Sequence, residues 1–133
     1  MKSNPKLRRE DLAYPDLSYK IMGVMFEVGK GLGFGHKENF YQKAVENEFR
    51  KNNIKCIGQL PVRMKFRGES VGIYYFDFLI EDKIVLEIKV RNYFSRKDIE
   101  QLYRYLKAKD LKLGLIVHFT NDGVKFKRVV NIS

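Results

Sequence analysis

The stretch YYFDFLIEDKIVLEIKV, from Tyr74 to Val90, decides how this chain folds. It is apolar enough for two core strands, yet Asp77, Glu87 and Lys89 interrupt it. Charged side chains are almost never buried alone, so these three must meet water, one another or a bound ion. Alternate residues of a strand share a face. Phe76, Phe78 and Ile80 are therefore expected on one face of the first strand, with Tyr75, Asp77 and Leu79 on the other. In the second strand Ile84, Leu86 and Ile88 oppose Val85, Glu87 and Lys89. Matching the apolar faces pairs Phe78 with Leu86 and Ile80 with Ile84, leaves a three-residue connection at Glu81, Asp82 and Lys83, and sets Asp77 opposite Glu87. A one-residue slip breaks that matching. Like charges directly opposed, with Cβ atoms about 5 Å apart, destabilise a strand pair. Either Lys89, two residues along on the same face, or a divalent cation must compensate; hard ions such as Mg2+ take oxygen ligands and need only one or two carboxylates. A solvated cluster satisfied by Lys89 is the plainer reading of the strands alone.

Outward from this hairpin, a further strand is expected over about Ile54 to Arg67, completing an antiparallel meander through the turn signal RGES. Upstream, Leu17, Ile21, Val24, Met25 and Val28 form one helical stripe, which should stop at GKGLGFG, where four glycines stand in seven residues. A second helix is expected from about Lys37 to Lys51, with Phe40, Tyr41, Ala44, Val45 and Phe49 on its apolar face. Ser95-x-x-Asp98 reads as a helix start, and Ile99, Leu102, Tyr103 and Leu106 as the buried side of a third helix to about Lys109. LKLGLIVHF then reads as a buried strand and VKFKRVVNI as an alternating one, joined by TNDG. The order is ααβββαββ, an α/β domain with a mostly antiparallel or mixed sheet. Residues 1–15 are expected to be a flexible arm and residues 16–133 a single domain.

The chain has 133 residues, with 26 Lys and Arg against 16 Asp and Glu, a formal charge of +10. That imbalance favours polyanionic partners, because neutralising phosphates releases counterions. No apolar run approaches the roughly 20 residues that cross a bilayer, and the N-terminus lacks a signal-peptide core, so the expected location is the cytoplasm without membrane association. One cysteine, Cys56, excludes an internal disulfide and a cysteine-based zinc site. His36 and His118 are too few and too scattered for zinc; His118, in LIVHF, is expected to be a strand residue with its polar atoms satisfied. The glycine-rich loop lacks the Gly-Lys-Ser/Thr and the preceding strand of a nucleotide loop.

Asp77, nine residues, then Glu87-Ile88-Lys89 has the form D-x9-E-x-K, with Glu38 on the preceding helix and Gln101-x-x-x-Tyr105 on the following one. This resembles the PD-(D/E)XK nuclease superfamily, and the last motif is similar to the Q-x-x-x-Y of its RecB-like branch. Gly35-His36-Lys37-Glu38-Asn39-Phe40-Tyr41 resembles the signature of the GxxExxY family within it. Phe76 stands where the superfamily name has Pro. The resemblance implies a restriction-endonuclease-like core with a mixed central sheet flanked by helices. It also implies a Mg2+- or Mn2+-dependent nuclease acting on nucleic acid, DNA favoured, and possible homodimers.

On that resemblance Asp77 and Glu87 would be the primary metal ligands, with the Ile88 carbonyl and Glu38 as further ones. Lys89 would act on the attacking water or the transition-state charge. Two neighbouring carboxylates favour the electrostatic role. Gln101 and Tyr105, four apart on one helix face, would hold Lys89, water or a phosphate. Lys37, Arg91, Arg96, Lys97 and Arg104 would contact phosphates as a cluster. The competing readings are a catalytically silent nucleic-acid-binding module of the same fold and a basic interaction domain that binds no metal.

Overall fold

The computed structural model of the protein describes residues 13–132. All but the last three residues of the expected N-terminal arm lie outside them. The elements are α1 (Pro15–Leu32), α2 (Glu38–Lys51), β1 (Cys56–Phe66), β2 (Glu69–Ile80), β3 (Ile84–Val90), α3 (Arg96–Lys109), β4 (Leu113–Thr120) and β5 (Gly123–Val130). The five strands form one sheet in chain order. β1, β2 and β3 are an antiparallel meander, β3 and β4 run parallel, and β5 returns antiparallel to β4. The sheet is therefore mixed. A parallel pair needs a long crossover, and α3 supplies it.

Central strands bury both faces, which explains why β3 and β4 read as near-continuous apolar runs. Ile84, Leu86, Ile88, Leu115 and Val117 pack with α1 and α2 on one face. Val85 and Ile116 pack with Leu102 and Leu106 of α3 on the other. Glycine permits the closest approach on each side. A Cβ on Gly29 would lie 2.5 Å from Val124 Cγ2, and one on Gly114 would lie 2.7 Å from Leu102 Cδ2. This explains one departure from the sequence reading. α1 does not stop at its first glycine but runs through Gly29 and Gly31 to Leu32, because packing of Gly29 against β4 and β5 outweighs its poor helix propensity of about 1 kcal/mol. The helix ends at Gly33, whose φ is +73°.

The β2–β3 register is Phe78 with Leu86, Leu79 with Val85 and Ile80 with Ile84, as face matching required, and residues 81–83 make the connection. The third helix starts at a Ser95 cap whose side chain accepts from the Asp98 N–H. Phe40 and Tyr103 depart from expectation. They are 52% and 37% exposed, at the margins of the stripes that Tyr41, Val45, Leu102 and Leu106 fill.

A second departure bears on the site. Phe78 and Ile80 lie on the α1–α2 face, but Phe76 and Tyr74 lie with Leu79 on the α3 face. β1 changes sides at the same level, with Cys56 on the first face and Leu60 and Val62 on the second. The pairing skips between Gly58–Phe78 and Leu60–Phe76, where Gln59 takes φ +58° opposite Asp77. An irregularity of this kind adds twist and re-aims side chains. Beyond it β1 and β2 continue as a two-stranded ribbon, closed by a turn at Arg67 and Gly68 with φ of +52° and +84°.

Candidate active site

The β2–β3 ladder ends at Phe78 and Leu86. One residue further, carboxylates take over the ladder's work. The Asp77 N–H donates to Glu87 Oε1 at 3.1 Å, and the Ile88 N–H donates to Asp77 Oδ2 at 2.7 Å. Two side chains thus replace two main-chain acceptors and wedge the strands into a fork. Both acids are buried, 7% and 4% exposed.

The remaining oxygens are also held. Gln42 Nε2 of α2 donates to Asp77 Oδ1 at 2.6 Å. The Tyr74 hydroxyl donates to Glu87 Oε2 at 2.8 Å, and Lys89 Nζ lies 3.2 Å from the same oxygen. Burial, and then the charge of Glu87, raise the Asp77 pKa well above the ordinary 3.8; the Ile88 N–H opposes the rise. The Tyr74 phenol is raised too, by burial and by the Glu87 charge.

Glu38 opens α2 and projects at the rim. Partial desolvation raises its pKa, with Glu87 and Asp98 adding to the rise and Lys89 and Arg91 opposing it, so it shares the field of the fork. The residues around it explain its placement. The Tyr41 hydroxyl donates to the Gly33 carbonyl, its ring stacks on Phe119 at 4.5 Å, and His36 Nε2 meets the Leu32 carbonyl at 2.9 Å. Tyr41 and His36 therefore tie α1 to the start of α2 and do not touch the acids.

Gln101 and Tyr105 share one face of α3, as their spacing requires. That face meets the ribbon: Gln101 Nε2 lies 3.9 Å from Met64 Sδ, and the Tyr105 ring lies 4.9 Å from Phe76. Neither hydrogen-bonds to Asp77, Glu87 or Lys89. Arg91 is committed to Asp98 and the Tyr93 hydroxyl, while Lys37, Arg96, Lys97 and Arg104 are exposed.

His118, opposite Lys89 on β4, is fully buried and stacks on Phe94 at 3.9 Å. Contrary to the sequence reading, neither ring nitrogen has a hydrogen-bond partner; the Arg91 main chain is close without meeting hydrogen-bond geometry. Burial, and then Arg91, push its pKa down to about 4.

Gln42 and Tyr74 are the contacts that sequence reasoning missed. Gln42 stands one turn after Glu38 and was findable as i+4 on that face. Tyr74 was not, because strict alternation puts it opposite Asp77, and only the irregularity at Gln59 turns it toward Glu87.

The fold is thus a mixed α/β sheet with an acid pair and a lysine at the fork of its central hairpin. Residues 15–129 match the family model of the PD-(D/E)XK nuclease superfamily, and the chain belongs to that superfamily. A solved structure described as "Crystal structure of SSO0001" is similar in fold, with a TM-score of 0.50 and 19% identity over 70% of this chain. The likeness spans about half of that protein, 49% of its chain. No curated protein matches the chain.

Among the described residues no three His, Cys, Asp or Glu side chains stand close enough to hold an ion by themselves. The donor set still fits a hard cation. Two buried carboxylates in contact, one with a raised pKa, form an oxygen-only pair of the kind that binds an ion retaining several waters.

Proposed function

We propose that the protein is a metal-dependent nuclease that hydrolyses phosphodiester bonds, in DNA by preference. The observation that carries this reading is the buried Asp77–Glu87 pair with Lys89 Nζ 3.2 Å from Glu87, which brings two carboxyl groups and one ammonium together out of solvent. Asp77 and Glu87 would hold Mg2+ or Mn2+, with the Ile88 carbonyl as a further ligand and Glu38 at the rim. When bound, the ion would lower the pKa of a water and offset charge on the scissile phosphate.

The chain's own residues do the rest. Gln42 and the Ile88 N–H fix the Asp77 carboxylate, and Tyr74 fixes that of Glu87. Lys89, tethered to Glu87, presents a fixed positive charge toward the phosphate as negative charge develops. The exposed Lys37, Arg96, Lys97 and Arg104 draw the polyanion in. The excess of cations over the whole chain supports nucleic acid as substrate.

The test incubates purified protein with plasmid and with single-stranded DNA in Mg2+, Mn2+ or EDTA, comparing wild type with Asp77→Ala and Lys89→Ala. Cutting is expected with metal and is lost in EDTA and in both variants. Cutting that survives both substitutions, or none on any substrate, overturns the proposal. Calorimetric titration with Mn2+ checks the ligands directly, since Glu87→Ala should weaken binding where Lys51→Ala does not.

A further inference from the structure

Between the ribbon and α3 lies a groove of about 350 Å³, separate from the acid pair. Arg63 and Lys65 stand on its β1 wall, and Arg104 and Lys109 on its α3 wall, with no acidic residue among those that line it. Lys43, Arg50, Lys51 and Lys55 each hold a carboxylate. Arg63, Lys65, Arg104 and Lys109 have no ion-pair partner among the described residues. Four exposed cations around one groove, with no acid among them, set up a local positive potential that favours an anion there.

The floor is not charged. Tyr105 lines the groove, its ring half-buried against Phe76 with Lys109 Nζ 6.0 Å over it, and Met64 lies beside it. Phe76 in turn meets Tyr74 at 5.0 Å, and the Tyr74 hydroxyl is on Glu87. One continuous aromatic wall thus has the groove on one side and the acids on the other.

We propose that this groove binds the phosphodiester backbone of one nucleic-acid strand, with Tyr105 as the stacking surface for a base. The substrate class is then single-stranded nucleic acid or the single-stranded end of a duplex. The pairing of facing cations with an aromatic floor is what single-strand binders use, because every base has a stacking face and every nucleotide a phosphate. A groove of small-molecule size admits one strand, whereas a duplex is convex and carries both strands on its outside. The cut itself rests on the nuclease reading above; binding does not.

Fluorescence anisotropy on the full chain in EDTA separates the two. The probes are a labelled 15-nucleotide single strand and the same sequence as a blunt duplex. Wild type is expected to bind the single strand at least fivefold more tightly. Arg63→Glu with Arg104→Glu should weaken single-strand binding at least tenfold and reduce the log–log salt slope by about 1.4, the share of two phosphate contacts. Lys51→Glu, outside the groove, should change it less than twofold. If the double variant fails to melt cooperatively, Lys65→Gln with Lys109→Gln takes its place, with a loss of at least threefold expected. Equal or tighter duplex binding, or groove variants that bind like Lys51→Glu, overturns the proposal. Groove-dependent binding without any cutting would overturn the nuclease reading and leave the groove standing; metal-dependent cutting with indifferent groove variants would do the reverse.

Discussion

Over Phe78–Ile80 and Ile84–Leu86 the β2–β3 pair has a regular ladder, apolar side chains and no charge; at Asp77 and Glu87 the same two strands part around buried carboxylates. The closed end lowers the free energy of the fold. The forked end raises it, since two like charges are desolvated together. Active sites are where folds tolerate such conflicts, and removing one commonly stabilises the protein while ending its activity. The contrast implies that substitutions a few residues apart on this hairpin have opposite effects.

The largest expected effect is at the fork. Asp77→Asn should reduce cleavage at least a thousandfold, about 4 kcal/mol of transition-state stabilisation, and raise the melting temperature of the metal-free protein at neutral pH. Asn can keep its carbonyl on the Ile88 N–H and donate its NH2 to the Gln42 side-chain oxygen once that amide flips. The pH dependence has a definite sign. Because the Asp77 pKa is raised on folding, its contribution is fully present below its ordinary 3.8 and is lost as pH rises through the folded value. The advantage of Asp77→Asn in EDTA should therefore grow from about pH 4 upward. A melting temperature that falls at pH 7 would contradict a strained acid pair.

At the closed end the sign reverses. Leu86 is fully buried, and Leu86→Ala should cost about 2–5 kcal/mol in urea unfolding, from lost burial and the cavity left behind. The folded fraction should still cut DNA in metal, because no atom of the fork has changed. A loss of less than 1 kcal/mol would mean the ladder end is not the anchor.

His118 extends the comparison to β4, where a neutral ring is buried beside charged groups. Its folded pKa is depressed, so its contribution is present above its ordinary 6.5 and lost as pH falls toward about 4. The difference amounts to at most about 3 kcal/mol, at 1.36 kcal/mol per pH unit. His118→Phe, stacking on Phe94, should remove that acid sensitivity. Urea midpoints of the two proteins from pH 7 to pH 4.5 should diverge, and parallel curves would show that the ring takes up its proton as readily in the fold as out of it.

Local rules reached the closed end and much of the fork. Apolar alternation fixed the register of Phe78 with Leu86, and that register alone brings Asp77 to Glu87. Spacing put Glu38 at a helix start and Ser95 at a cap. What alternation could not reach is the reversal at Gln59, a residue in a left-handed conformation with no sequence signature such as glycine. With it went the side on which Phe76 and Tyr74 lie, the ribbon's path over α3, and so the groove that takes Gln101 and Tyr105. Gly29 failed for a related reason, since a helix propensity cannot register a strand that packs against it.

The smallest effect is the sharpest test of that reversal. Tyr74 and Tyr75 are neighbours on one strand; the first donates to Glu87, and the second is 48% exposed and makes no such bond. Removing one hydroxyl from each changes no packing. Tyr74→Phe deletes a hydrogen bond to a charged, buried acceptor and should cost about 2 kcal/mol in metal-free stability. It should also lower cleavage severalfold, because Glu87 Oε2 then depends on Lys89 alone. Tyr75→Phe should change both by less than the error of measurement. Equal effects from the two tyrosines would mean that the strand does not reverse at Asp77, and the aromatic wall between fork and groove would go with it.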